Sequence, residues 1–202
     1  MLSFHNDPAI KQKYLDRLKH HMEMDNIIQG TGWENGKGCA VGCTLENYDH
    51  SRYTIELGLP VWIAYLEDRI FEGLENKKSK FWPYNFLNSI PVGVDVEIVK
   101  HKLAIKRLNR LIEIQEKLLL KNENLSDVIN KVICSVKLVI SCHECELNHE
   151  SCNWSEAWSA EGSAVWSAES AWSAASATSE ARSEKWEQEA NDLIELLKEL
   201  GK

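Results

Sequence analysis

Residues 95–120 read DVEIVKHKLAIKRLNRLIEIQEKLLL. Ile98, Leu103, Leu108, Leu111, Ile112, Leu118 and Leu119 recur at helical spacing with charges between them, the pattern of a long amphipathic helix. Five bases, Lys100, Lys102, Lys106, Arg107 and Arg110, crowd its first half. They read as a solvated face, or as a docking surface for the acidic tail or for a partner. Downstream, Ser126 and Asp127 are suited to cap a helix over 127–141, with Val128, Val132, Val136 and Val139 on one side. Its β-branched content leaves a strand open by propensity, while length and spacing favour helix. Upstream, helices are predicted over 8–24 (Ile10, Tyr14, Leu15, Leu18, Met22), 59–75 (Val61 or Trp62, Tyr65 or Leu66, Ile70, Leu74) and 81–90. Pro8 and Pro60 suit helix starts, and Gly73 suits an end. Residues 30–38, GTGWENGKG, carry four glycines in nine positions and read as loop. The fold class is therefore mainly α, with at most a small irregular or β element near 30–58.

The carboxy-terminal segment is distinctive in another way. From Trp154 to Ser183, serines recur about every 3.5 residues and alanines about every 3.4, close to the period of a coiled-coil seam. Trp154, Trp158, Trp166 and Trp172 add bulk to it. With the ending LIELLKEL, this predicts one Ser/Ala/Trp-rich helix of about 45 residues, about 65–70 Å long, weakest at Glu161-Gly162. Such a seam needs a partner surface. The 97–141 helices of the same chain would complete a helical bundle, and a second copy would make a homodimer; the chain length favours the bundle. The expected division is 1–96, a Gly/Cys-containing helical region, and 97–202, the bundle with its long helix, together one compact unit.

Charge is divided unevenly. The net charge is −8, and residues 146–202, with 12 acidic and 4 basic side chains, account for all of it. An acidic tail repels phosphate, so direct nucleic-acid binding through it is not expected, and basic partners are favoured. No apolar run approaches the ~20 residues of a membrane helix. The first residues lack the apolar stretch of a secretory signal. Six cysteines are too sparse for a disulfide scaffold, so the reading is a cytoplasmic protein that does not enter a membrane.

Two constellations have chemistry-bearing residues. Cys39 and Cys43 flank a glycine-rich turn, with His50 seven residues on. If AVGCTLEN starts a helix, Cys39 sits at its amino-terminal end, where a thiol pKa falls and free N–H groups attract an anion. His50 is then a candidate base and Glu67 or Asp68 its orienter; the same thiols and imidazole suit zinc. Two buried cysteines packing the turn is the plain structural reading. The second constellation is Cys142, Cys145, His149 and Cys152, which share one face if 142–152 is a continuous helix. Those donor types suit zinc, form a core stripe equally well, and a disulfide ranks below both. His20-His21 reads as surface. Gly30–Gly38 lacks the Lys-Ser/Thr ending of a phosphate loop. Trp33, Lys37, Arg52 and Tyr53 would form an aromatic-plus-cation pocket if the fold joined them.

The segments GKGCAVGCTLENYDHSRYTIELGLP, LEDRIFEGL and FWPYNFLNSIPVGVD resemble a family of uncharacterised proteins encoded by bacteriophages, prophages and bacteria. The resemblance is close over 30–96, extends in style to the tail, and leaves 97–153 unmatched. It implies no catalytic residues. It implies a context in which small proteins without an enzyme core bind host factors. The leading expectation is thus a non-enzymatic phage or mobile-element protein that inhibits or sequesters a host factor in the host cytoplasm, an anti-defence role being one form of this. Its target would be a host protein or a small anionic ligand such as a signalling nucleotide. The expected contact residues are Trp33, Lys37, Cys39, Cys43, His50, Arg52, Tyr53 and Glu67, with no catalytic residue and no required cofactor. The alternative is a Cys/His enzyme or a zinc protein built on Cys39, Cys43 and His50.

Overall fold

A computed structural model describes residues 1–120, 125–155, 157 and 179–202, the side chains of 179–182 excepted. The described chain is mainly helical with one two-stranded antiparallel sheet. It divides into two compact units, Met1–Glu97 with Glu180–Lys202, and Ile98–Ser179. The carboxy-terminal helix, Ser179–Glu199, thus belongs with the amino-terminal region, whereas the expected division grouped it with 97–141. The serine and alanine seam over 158–178, with Trp158, Trp166, Trp172 and Glu161-Gly162, lies outside the described residues.

In the first unit, helix α1 (Pro8–Glu23) starts at Asp7, whose Oδ1 accepts from Ala9 N at 2.8 Å. Pro8 fills the first turn, where its missing N–H has no cost. Just before it, Phe4, His5 and Asn6 all have positive φ. This left-handed turn is held by Ser3, whose hydroxyl donates to Pro91 O at 2.6 Å and accepts from Val94 N at 3.0 Å. A hairpin follows, β1 (Trp33–Glu34) and β2 (Lys37–Gly38), turned by Asn35 and Gly36, both at positive φ. Asn-Gly is the favoured pair for such a turn because both residues tolerate φ above zero. The 30–38 stretch is therefore a hairpin and not simply a loop.

Helix α2 (Ala40–Leu45) lies under that hairpin, followed by a π-helical turn (Tyr53–Leu57) and helices α3 (Val61–Gly73), α4 (Asn76–Ser79) and α5 (Trp82–Ser89). Helix α1 packs on α2 and α5, and α3 packs on both. Their core includes Tyr14, Leu18, Ile27, Leu57, Ile63, Ile70, Phe71 and Phe86. The buried side of α3 differs from the expected one: Ile63, Ala64, Glu67, Asp68, Ile70 and Phe71 face inward, and Tyr65 faces solvent. Two carboxyl groups on the inner face hid that side from an apolar period. The last helix buries Ala190, Leu193, Leu196 and Leu197. The ring of Trp186 lies 2.2 Å from where a Cβ on Gly73 would stand, so this crossing requires glycine.

In the second unit, α6 (Glu97–Leu119) and α7 (Ser126–Leu147) pair through Ile112, Ile129, Val132, Ile133, Val136 and Ile140. Residues 127–141 are helix, and the length argument wins over β propensity. Val128 is exposed, however, and the inward row runs through Ile129 and Ile133. Ser126 is the first helical residue; Leu125 is the cap position and no side chain caps there. A second small cluster joins Val139, Cys142 and Ala157, with Cys152 and Trp154 against it.

Candidate functional site

The site centres on Asp68, one of the inward carboxyl groups of α3. Its Oδ2 accepts from the Tyr48 hydroxyl at 3.1 Å and lies 3.2 Å from His50 Nε2. The Asp68 carboxyl also acts on the Cys39 thiol, raising its pKa. The His50 ring stacks on Tyr65, 4.2 Å between centroids and 9° between planes, and meets Tyr48 edge-on at 5.0 Å. His50 and Asp68 are buried, whereas Tyr48 is 52% and Tyr65 55% exposed. Two solvent-facing phenol rings thus cover a buried imidazole–carboxyl pair. Burial and the Asp68 carboxyl together push the Tyr48 hydroxyl up to about 12, which keeps it a hydrogen-bond donor near neutral pH.

Backbone economy sets the positions. Gly32 meets the Tyr48 ring, which a Cβ would approach to 2.6 Å. A Cβ on Gly42 would stand 1.8 Å from Gly32 O, and one on Gly38 2.2 Å from the same atom. The glycine-rich sequence is spent on bringing the hairpin down onto the first turn of α2. Cys39 is the cap residue of that helix, as the helix-start reading expected, and its Sγ accepts from Gly42 N at 3.5 Å.

The expected consequence for its chemistry does not follow. Burial chiefly, with the Asp68 carboxyl adding to it, raises the Cys39 pKa, and burial pushes Cys43 up to about 12. Cys43 Sγ donates to Gly38 O at 3.3 Å. Both are neutral, enclosed thiols, because desolvation outweighs the field of a helix start only six residues long. The anion nest fails for a related reason: the cysteine sulfur occupies the Gly42 N–H, while Cys39 N donates to Thr31 O at 2.7 Å.

Cys39, His50 and Asp68 do converge. The other expected residues are distributed around them. Tyr53 and Glu67 form a separate buried pair, Tyr53 donating to Glu67 Oε2. Trp82 Nε1 holds the Glu67 carbonyl at 3.0 Å. Arg52 is bound to Glu56 at 2.5 Å, and Glu56 also accepts from Tyr14. Trp33 meets His21 edge-on at 5.4 Å, and Lys37 is exposed on the hairpin. The pocket of Trp33, Lys37, Arg52 and Tyr53 is therefore not formed: Tyr53 points into the core and Arg52 into its ion pair. His21, expected at the surface, is buried, 3.6 Å from Glu46, and burial lowers its pKa.

Tyr48, Tyr65 and Asp68 were the least legible members. Tyr65 sits in the predicted core row, and Tyr48 in a loop without any periodic signal. The sequence offers Asp68 only as an alternative to Glu67.

The second constellation is also rearranged. Helix α7 ends at Leu147, and His149 takes a φ of 59°, so 142–152 is not one helix and the four donors share no stripe. Cys142 and Cys152 form a disulfide. Among the described residues, no group of three or more His, Cys, Asp or Glu side chains is placed to hold a metal ion. No helix among them is long and apolar enough to cross a membrane. No family model, no curated protein and no solved structure matches this chain.

Proposed function

We propose that the chain is a non-enzymatic binding protein of a phage or mobile element, which occupies a host factor through the Tyr48–His50–Tyr65 face. One observation carries this reading: two large rings are held half out of the protein over a buried His50–Asp68 pair. Tyrosine presents contact area with few rotors, and such rigid aromatic anchors are what binding faces use. The host factor is a protein or a small anionic ligand, and the act is sequestration in the host cytoplasm. The test is capture from a bacterial lysate with the whole protein and with Tyr48→Ala and Tyr65→Ala, analysed for both proteins and small molecules. A captured species that either variant loses, at unchanged melting temperature, supports the reading. Equal capture by all three removes this face from function.

The convergence of Cys39, His50 and Asp68 favours a second reading, a Cys/His enzyme or zinc protein. Against it stand the enclosed, neutral thiols. Zinc found in the purified protein and lost in Cys39→Ser would favour this alternative.

A further inference from the structure

Cys142 and Cys152 are joined across ten residues, with Cα atoms 5.3 Å apart. Cys142 lies near the end of α7 and is buried, and Cys152 lies on the following segment, half-buried. Their bond ties that segment to the helix it has just left. Other contacts follow the same seam. Trp154 Nε1 donates to Glu146 Oε1 at 2.8 Å, its ring meets His143 edge-on at 5.0 Å, and Ala157 is seated with Val139 and Cys142. The cross-link is thus local: it ties residues 148–155 and Ala157 to the end of one helix.

The remaining cysteines, Cys39, Cys43, Cys134 and Cys145, are free. A chain that keeps four of its six thiols unpaired does not depend on oxidation for its core. Burial also differs between the cysteines. Cys39 and Cys43 are enclosed, whereas half-buried Cys152 offers one end of the disulfide to an incoming thiolate. An accessible, local disulfide in a chain of free thiols has the properties of a reversible bond.

We propose that Cys142–Cys152 is a redox-operated latch on residues 148–155 and Ala157, opened by a low-molecular-weight thiol of the glutathione class. One thiolate attacks Cys152 Sγ, a mixed disulfide forms there, and Cys142 leaves as thiolate. A second thiolate attacks the sulfur of the bound small thiol, giving the small-molecule disulfide and releasing Cys152. Two small thiols are oxidised, one protein disulfide is reduced, and their two protons end on Cys142 and Cys152. Opening frees Trp154 and Ala157 from the end of α7.

The test uses the full chain equilibrated with oxidised or with reduced glutathione. Thiol counting and peptide mapping should give four free thiols in the oxidised state and six in the reduced state, with Cys142 and Cys152 the two that change. Amide exchange over 148–155 should be about tenfold faster or more when reduced, while α3 is unchanged. Cys142→Ser/Cys152→Ser should match the reduced protein and ignore the reductant. Because reduced wild-type protein is measured directly, the proposal does not depend on the variant folding. Six free thiols under oxidised glutathione, a different oxidised pair, or equal exchange over 148–155 in both states would overturn it.

Discussion

Tyr53, at the head of the π-helical turn, donates its hydroxyl hydrogen to Glu67 on the inner face of α3, and both side chains are wholly buried. The other oxygen of Glu67, Oε1, is buried without a hydrogen-bond partner. Ionising that carboxyl would strand a charge in the core, so the group is kept neutral. Its neighbour Asp68 instead faces Tyr48, His50 and Cys39. Adjacent carboxyl groups on one helix thereby take separate tasks, one locking the core and one organising the candidate binding face.

The first prediction concerns pH. Burial chiefly, with Asp68 adding to it and the Tyr53 bond opposing, raises the Glu67 pKa well above the ordinary carboxyl range. In the unfolded chain this group ionises near pH ~4.3. Above that value the native state holds one proton more than the unfolded state, so stability falls as pH rises, by up to about 1.4 kcal/mol per unit until the folded pKa is reached. Glu67→Gln should remove this slope. Thermal melts from pH 4.5 to 8.5 should show the variant gaining on the wild type as pH increases; parallel curves would mean Glu67 is ionised in the fold.

Thiol reactivity provides the second. Alkylation of the folded protein at pH 8 should modify Cys134 and Cys145, which are exposed or half-buried. Cys43, pushed up to about 12, should react on the order of a thousandfold more slowly than an ordinary thiol, and Cys39 should behave alike. Peptide mapping over time reads this directly. Early labelling of Cys39 would revive its role as a nucleophile.

Two glycines should respond very differently to alanine. Gly42→Ala places a Cβ 1.8 Å from a backbone oxygen and should cost about 3 kcal/mol or more. Gly36→Ala meets open space and pays only for its positive φ, roughly 1–2 kcal/mol. Urea denaturation of both variants checks the order.

At the surface, Lys37→Ala should change stability by no more than about 0.5 kcal/mol, since the side chain is exposed on the hairpin. Arg52→Ala breaks a partly exposed pair with Glu56 and should cost less than about 1 kcal/mol. Neither should reduce capture of a partner held on the Tyr48–Tyr65 face. A clear loss of capture with either would move the contact surface toward them.

Local chemistry determined the helices. Apolar residues at helical spacing, Pro8 in a first turn and Gly73 at an end mark α1, α3 and α6 within two residues, whereas α7 runs six residues past the expected end at 141. Those signals act over one or two turns, so they are written in consecutive residues. The hairpin was equally local, since Asn35-Gly36 suits its turn, but four glycines in a row of nine obscured it. Which side of each helix faces inward was a tertiary decision. Buried polar pairs such as Tyr53–Glu67 and His50–Asp68 depend on groups 14 and 18 residues apart, and an apolar period cannot register them. The reactivity of Cys39 was decided in the same way. Its place at a helix start is a sequence property that favours the thiolate; its enclosure by the hairpin and Asp68 is a property of the fold, and desolvation is the larger effect.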